Sequence, residues 1–247
     1  QMSLAESIAR AANLDTDTIA SLLDDPREAT TTALTQAARE VADGEVGPAV
    51  YPRGLLEFSN RCSCNCYYCG IRAGNHSVPR YSLDRETVAE IARYCAEAGY
   101  GSMTLQSGER RDAAFIDYVE ELLRAVKAVS AGEQLPQGLG VTLCVGEQDE
   151  ETYGRFFAAG AHRYLLRIES STPDLFARIH PPEQTFAERL SALRRLRRTG
   201  FQVGTGVMIG MPGQTARDLA GDIRFFAQEE IDMLGMGPYV PHHGTPM

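Results

Sequence analysis

The sequence predicts an α/β fold, a parallel barrel of strand–helix units, and three observations carry that expectation. Short β-type runs alternate with segments of helical periodicity, which implies parallel strands joined by crossover helices. A chain of 247 residues with 43% apolar and 8% aromatic content is long enough for one substantial core, and one barrel domain of this size is common. The polar residues of most chemical interest fall just after the predicted strands, where a TIM-type barrel gathers its active site.

The elements follow in chain order. Leu4, Ile8 and Ala11, then Ile19, Leu22 and Leu23, then Ala33, Ala37 and Val41 mark three short amphipathic helices, separated by Asp-rich stretches and Pro26. They make residues 1–50 a helical extension, expected to pack on the barrel as a lid or plug. Residues 51–247 form the barrel domain. Its strands are expected at Leu55–Ser59, Ser102–Gln106, Gly140–Val145, Arg163–Ile168, Gln202–Ile209 and Met233–Val240, the last two rich in glycine. Between them Val88, Ile91, Ala92, Cys95 and Ala98 recur at helical spacing, as do Phe115, Val119, Leu122, Leu123 and Val126, and Leu190, Leu193 and Leu196.

Charge and composition exclude several function classes. The formal net charge is -9 and the basic residues form no long run, so a nucleic-acid partner is not expected. No stretch approaches the 18 apolar residues that a membrane span needs. The N-terminus carries Glu6 and Arg10 with no apolar secretory core behind basic residues, so the expected compartment is the cytoplasm, where thiols stay reduced.

Four cysteines, Cys62, Cys64, Cys66 and Cys69, fall within eight residues, and three fit the spacing Cys-x3-Cys-x2-Cys. Three thiolates on one short loop suit three corners of an iron–sulfur cubane and leave the fourth iron free to bind another molecule. The four-ligand ferredoxin spacing is absent. A zinc knuckle is disfavoured because only Cys66 and Cys69 make a Cys-x2-Cys, with no second pair downstream. Disulfides are disfavoured by the compartment. Cys64 reads as a non-ligand, and Cys95 and Cys144 as small buried hydrophobes.

After the second strand comes Gln106-Ser107-Gly108-Glu109, after the third Gly146-Glu147, and around the fourth Arg167, Glu169, Ser170 and Ser171. All are expected at one mouth. The Gly204-x-Gly206-x3-Gly210 run has the wrong spacing for a dinucleotide loop and reads as a strand that lets a ligand approach closely. Met208 and Ile209 within it suit core positions. His242 and His243 read as a loop after the sixth strand, and His76, His162 and His180 offer no site.

Cys62-x3-Cys66-x2-Cys69, with Tyr68 before the last cysteine, resembles the signature of the radical S-adenosylmethionine (radical SAM) superfamily. Glu57–Asn60, Leu105–Glu109, Arg163–Arg167, Gly210–Thr215 and Gly237–His242 are similar to the FeFe-hydrogenase maturase group, HydE, whose relatives include biotin synthase and methylornithine synthase. The resemblance implies that Cys62, Cys66 and Cys69 hold a 4Fe-4S cluster and that S-adenosyl-L-methionine (SAM) is reductively cleaved there to a 5′-deoxyadenosyl radical. It implies Tyr68 and Met208 near the adenine, Ser107 and Glu109 near the SAM amino group, Glu169 near the ribose hydroxyls, Arg189 near the SAM carboxylate, and Arg167 among the cofactor-binding residues. It further implies a small-molecule or organometallic substrate, an electron donor such as ferredoxin or flavodoxin, and other hydrogenase maturases as partners. The family barrel has eight strands, so the six counted here read as a C-terminally truncated barrel. The alternatives are a methylornithine-synthase-like enzyme and, in another class, an iron–sulfur electron-transfer or scaffold protein.

Overall fold

The computed structural model describes residues 14–247. The first expected helix, with Leu4, Ile8 and Ala11, lies outside the described residues. The chain then runs α1 (Thr16–Leu23), α2 (Glu28–Glu45), β1 (Gly54–Ser59), α3 (Arg85–Glu97), β2 (Ser102–Ser107), α4 (Ala113–Ser130), β3 (Gly140–Cys144), α5 (Glu150–Ala158), β4 (Ala161–Leu165), α6 (Pro173–Ile179), α7 (Phe186–Thr199), β5 (Gln202–Thr205), β6 (Met208–Ile209), α8 (Ala216–Gln228), β7 (Met233–Leu234) and β8 (Gly237–Pro238). Asp84, Asp112, Asp149, Thr185 and Thr215 start α3, α4, α5, α7 and α8, each accepting a backbone N–H from the first turn. Such caps satisfy donors that the helix cannot pair internally.

The fold class is as expected. Six strands form one parallel sheet in the order β1-β2-β3-β4-β5-β7, with β1 and β7 at its edges. Leu105 pairs in register with Leu56 on one side and Leu143 on the other, so apolar rows run across neighbouring strands. The sheet contributes Phe58, Met103, Leu105, Val141, Leu143, Tyr164 and Val203 to a core closed by Val88, Ala92 and Cys95 of α3 and by Phe115, Val119, Leu122, Leu123 and Val126 of α4. Burial of each large apolar side chain contributes roughly 1.5–3 kcal/mol. Because the strands are parallel, their C-terminal ends share one rim.

The two glycine-rich strands differ from the sequence reading. Gln202–Ile209 breaks after Thr205, Met233–Val240 breaks after Leu234, and the chain beyond each break forms a separate two-stranded sheet, β6 with β8. The breaks lie opposite one another, where a Cβ on Gly206 would stand 1.8 Å from the Gly235 carbonyl oxygen. Gly206 therefore admits a neighbouring backbone. At the N-terminus, α1 packs on the outer helix α8: the Arg217 guanidinium pairs with Asp17, and Ile19, Leu22 and Leu23 face Ile223 and Ala227. It lies against the flank of the barrel and not over the strand ends.

Gly206→Ala forces a backbone shift where β5 and β7 separate, and the expected cost is about 1–3 kcal/mol. A urea titration checks it: the midpoint falls while the slope is unchanged.

Candidate active site

The cysteines lie on an irregular excursion between β1 and α3. Its ends are tied together, since Ser59 and Ser82 form an antiparallel bridge and Leu83 donates to the Phe58 carbonyl at 2.9 Å. Inside it, Arg80 donates to four backbone carbonyls: Nη1 to Asn60 and Ile71, both at 2.7 Å, and Nη2 to Arg72 at 2.7 Å and Asn75 at 2.9 Å. A planar five-donor fork is suited to gathering carbonyls from several directions. The excursion is fastened to the end of β2, where Ser63 donates through both N–H and Oγ to the Glu109 carbonyl at 2.8 and 2.9 Å. A Cβ on Gly108 would stand 2.5 Å from both the Arg61 oxygen and Cys62 Cβ, so glycine is required for the cysteine loop to cross here.

All six cysteines are free. Hydrogen bonding from the Cys64 thiol first, then from the backbone N–H groups of Cys64 and Glu109, lowers the Cys62 pKa against burial, and Cys64 is raised in turn by its bond to Cys62. Burial pushes Cys66 up to about 12 and also raises Cys69, which an Ile71 backbone N–H partly offsets. Cys66 is buried, and its Sγ lies 3.2 Å from Gln184 Oε1. Among the described residues no three His, Cys, Asp or Glu side chains gather closely around one point. Three thiols spaced along one short, braced loop fit the corners of a cluster.

Along the rim lies a network of alternating charge, buried at Glu109, Glu147 and Arg189 and exposed at Arg111. Glu109 Oε1 accepts from Arg111 Nε and Nη2 at 3.0 and 2.7 Å, and its Oε2 accepts from the Glu147 N–H at 2.9 Å. Glu147 in turn pairs with Arg111 at 3.0 Å and with Arg189, whose Nη1 donates to the Arg167 carbonyl. Glu169 stands apart. It is 7% exposed, sits at φ 63° without being glycine, and its carboxylate has no hydrogen-bond partner among the described residues. Burial raises its pKa to about 7 against the pull of Arg167 and Arg189. A buried, unpartnered carboxylate on a sparsely populated backbone conformation marks a functional site.

The remaining sequence-expected residues fall nearby. Tyr68 and Met208 pack with Tyr239 and Met247 around Leu175, Ile179 and Met211. Ser107 Oγ donates to the Gly108 carbonyl at 2.8 Å and lines a cavity of about 360 Å³ with Cys69, Glu57, Gln106 and His242. His242 rests against Gly70 and its ring stacks on His243.

Two sequence readings need correction. Cys144 is half-buried at the end of β3, within reach of the charges of Arg167 and Glu169, and so faces the mouth and not an apolar core. His180, set aside from sequence, is buried beside the cysteine loop; burial holds it down at about 4, so it is neutral at pH 7. Its Nδ1–H donates to the Phe176 carbonyl at 2.9 Å, which leaves Nε2 to accept from the Tyr68 hydroxyl at 3.4 Å. Sequence reasoning also missed Arg80, Arg111 and Gln184 as site residues. Of these, Arg111 lies closest in sequence to a residue already singled out, two positions after Glu109.

The radical SAM superfamily model matches residues 56–226, and the chain belongs to that superfamily, whose members use a 4Fe-4S cluster and SAM. It is 38% identical over 216 residues to the [FeFe] hydrogenase maturase subunit HydE of Thermotoga maritima, covering 87% of this chain and 59% of that protein. It is 30% identical over 192 residues to the biotin synthase of Synechococcus elongatus, covering 75% and 57%. The chain thus spans less than two thirds of the length of these curated relatives. Two solved structures share the fold: methylornithine synthase, with a TM-score of 0.87 at 24% identity over 99% of this chain and 70% of that one, and the maturase HydG of Carboxydothermus hydrogenoformans, with a TM-score of 0.83 at 21% identity over 98% and 58%.

Two outcomes are expected. Arg80→Met removes four charge-assisted hydrogen bonds, lowers the melting temperature and leaves the cysteine loop open to limited proteolysis; resistance equal to wild type would contradict the clamp. Glu169 gives a pH signature. Between its ordinary pKa of 4.5 and about 7, the unfolded chain has released this proton and the folded chain still holds it. Stability therefore falls as pH rises through that window, by about 3 kcal/mol at ~1.36 kcal/mol per unit, and levels off above it. Denaturation of Glu169→Gln across the same range should lack this component.

Proposed function

We propose that this chain is the core of a radical SAM enzyme acting in FeFe-hydrogenase maturation. The observation that carries the reading is Glu169, a buried residue whose carboxylate makes no hydrogen bond among the described residues, at the same rim as the loop of Cys62, Cys66 and Cys69. An electron-transfer scaffold has no use for such a group. Cys62, Cys66 and Cys69 would hold the cluster, which would supply the electron for SAM cleavage; the protein's task is to bind, orient and exclude side reactions.

Each side chain then has a part consistent with its surroundings. Glu169 accepts from the ribose hydroxyls. Arg189 commits Nε to Glu147 and Nη1 to the Arg167 carbonyl, which leaves Nη2 for the SAM carboxylate. Glu109 has three donors on a carboxylate with about four acceptor positions, so it can take one more from the SAM amino group, beside Ser107. Tyr68 and Met208 form the apolar wall for the adenine, and Arg167 balances the charge of Glu169. The 38% identity to HydE supports hydrogenase maturation, with an organometallic or other small-molecule substrate, a ferredoxin or flavodoxin as electron donor, and other maturases as partners. No helix among the described residues is long and apolar enough to cross a membrane, and a cytoplasmic location suits the free thiols. Residues 1–50 serve as an extension to the barrel domain of 51–247.

The test is anaerobic reconstitution with iron and sulfide, followed by dithionite and SAM, with 5′-deoxyadenosine read by mass spectrometry. Formation is expected; a loaded cluster without it would contradict the proposal. Cys66→Ala should lose the intact cluster and Cys64→Ala should keep it, as iron and sulfide analysis reads. Glu169→Ala should keep the cluster and bind SAM at least tenfold more weakly.

A further inference from the structure

The three thiols of the Cys-x3-Cys-x2-Cys set do not share one kind of neighbour. Among the described residues, Cys66 is the one of the three whose sulfur makes a side-chain hydrogen bond to a distant element. Cys66 meets a side chain from 118 positions away, Gln184, at 3.2 Å. Gln184 is not a chance surface contact. Its own N–H donates to the Pro181 carbonyl at 2.9 Å, closing a turn, and the next residue, Thr185, caps α7, the helix that carries Arg189. The amide is therefore aimed at Cys66 by a tight turn on a rigid element.

With Cys66 protonated, its S–H donates to Gln184 Oε1. A thiolate bound to iron has no proton to give and can only accept. Rotation of the terminal amide by half a turn presents Nε2–H to the sulfur from the same position, since the two ends of the amide are nearly isosteric. Resting on the cluster reading above, we propose that Gln184 is a positioning residue for the cluster, donating an N–H···S hydrogen bond to Cys66 that raises the reduction potential and so eases entry of the electron. Hydrogen bonds to the sulfurs are one of the levers that set such potentials, because they stabilise the more electron-rich reduced state. Among the described residues the Tyr68 hydroxyl also lies near Cys66, and it is paired with His180 Nε2 at 3.4 Å.

The test uses the reconstituted chain without SAM turnover. The midpoint potential is measured by electron paramagnetic resonance at poised potentials for wild type, Gln184→Met, Gln184→Glu and Gln184→Lys, with iron and sulfide analysis of each. Gln184→Met should make one-electron reduction about tenfold less favourable, a shift of about 59 mV to more negative potential. Gln184→Glu, which replaces the donor by a negative charge, should go further. Gln184→Lys, which restores an N–H donor, should return to or above the wild-type value. Equal potentials across the series at equal iron content would overturn the proposal, as would loss of iron in all three variants with no ordered shift, the mark of a merely structural role. Tyr68→Phe in the same titration gives the phenol's share: a shift carried by Tyr68→Phe alone would assign the donor to Tyr68 and overturn the role of Gln184. Wild-type chain that takes up no cluster would defeat the underlying reading as well, which separates the two failures.

Discussion

The candidate site depends on how one arginine and one glycine hold the 60–81 excursion against the end of β2. Arg80 gathers four carbonyls of a segment with no regular structure, and Gly108 leaves room for Cys62 to cross the strand end. Without them the three cysteines would sit on a free loop, and ordering some twenty residues would cost roughly 1–2 kcal/mol each on loading. With them, most of that ordering is complete before any metal binds. The parallel register supplies the rest, because it brings the rims of β1 to β5 to the same level and sets Glu109, Glu147 and Glu169 at the same mouth as the loop.

The electrostatics divide the rim into a finished part and an open part. Arg111, Glu109, Glu147 and Arg189 alternate in sign and hydrogen-bond one another, which offsets the desolvation that makes buried charges costly. Such a network adds little to stability and fixes geometry instead. Glu169 is left out of it, held in place by a backbone pinned between Gly206 and Met208: its N–H donates to the Gly206 carbonyl at 3.0 Å and its carbonyl accepts from Met208 at 3.2 Å. The separation of β5 from β6 at Gly206 is thus what turns Glu169 towards the mouth.

Most of the frame was legible in the sequence because strand–helix alternation and the apolar stripes of α3, α4 and α7 are local signals. The cysteine spacing was legible for the same reason. What was not legible depends on contacts far apart in the chain. Gln184 meets Cys66 across 118 positions, and Arg111 joins Glu147 across 36. His180 looked idle because nothing near it in sequence says that α6 ends beside Tyr68. The split of the last two strands required knowing that Gly206 and Gly235 face each other. Cys144 was misread because an alternating strand does not tell which of its faces lines the mouth.

The central claim is that three thiolates on a braced loop leave one iron for SAM, with Glu169 and Arg189 ready to orient it. The most direct measurement is the electron paramagnetic resonance spectrum of the reduced, reconstituted cluster before and after addition of SAM. A change in the g-values on addition, weakened in Glu169→Ala at equal iron content, is the predicted result. A spectrum that SAM leaves unaltered, with four irons and four sulfides confirmed, would contradict the account and return the chain to the class of cluster carriers.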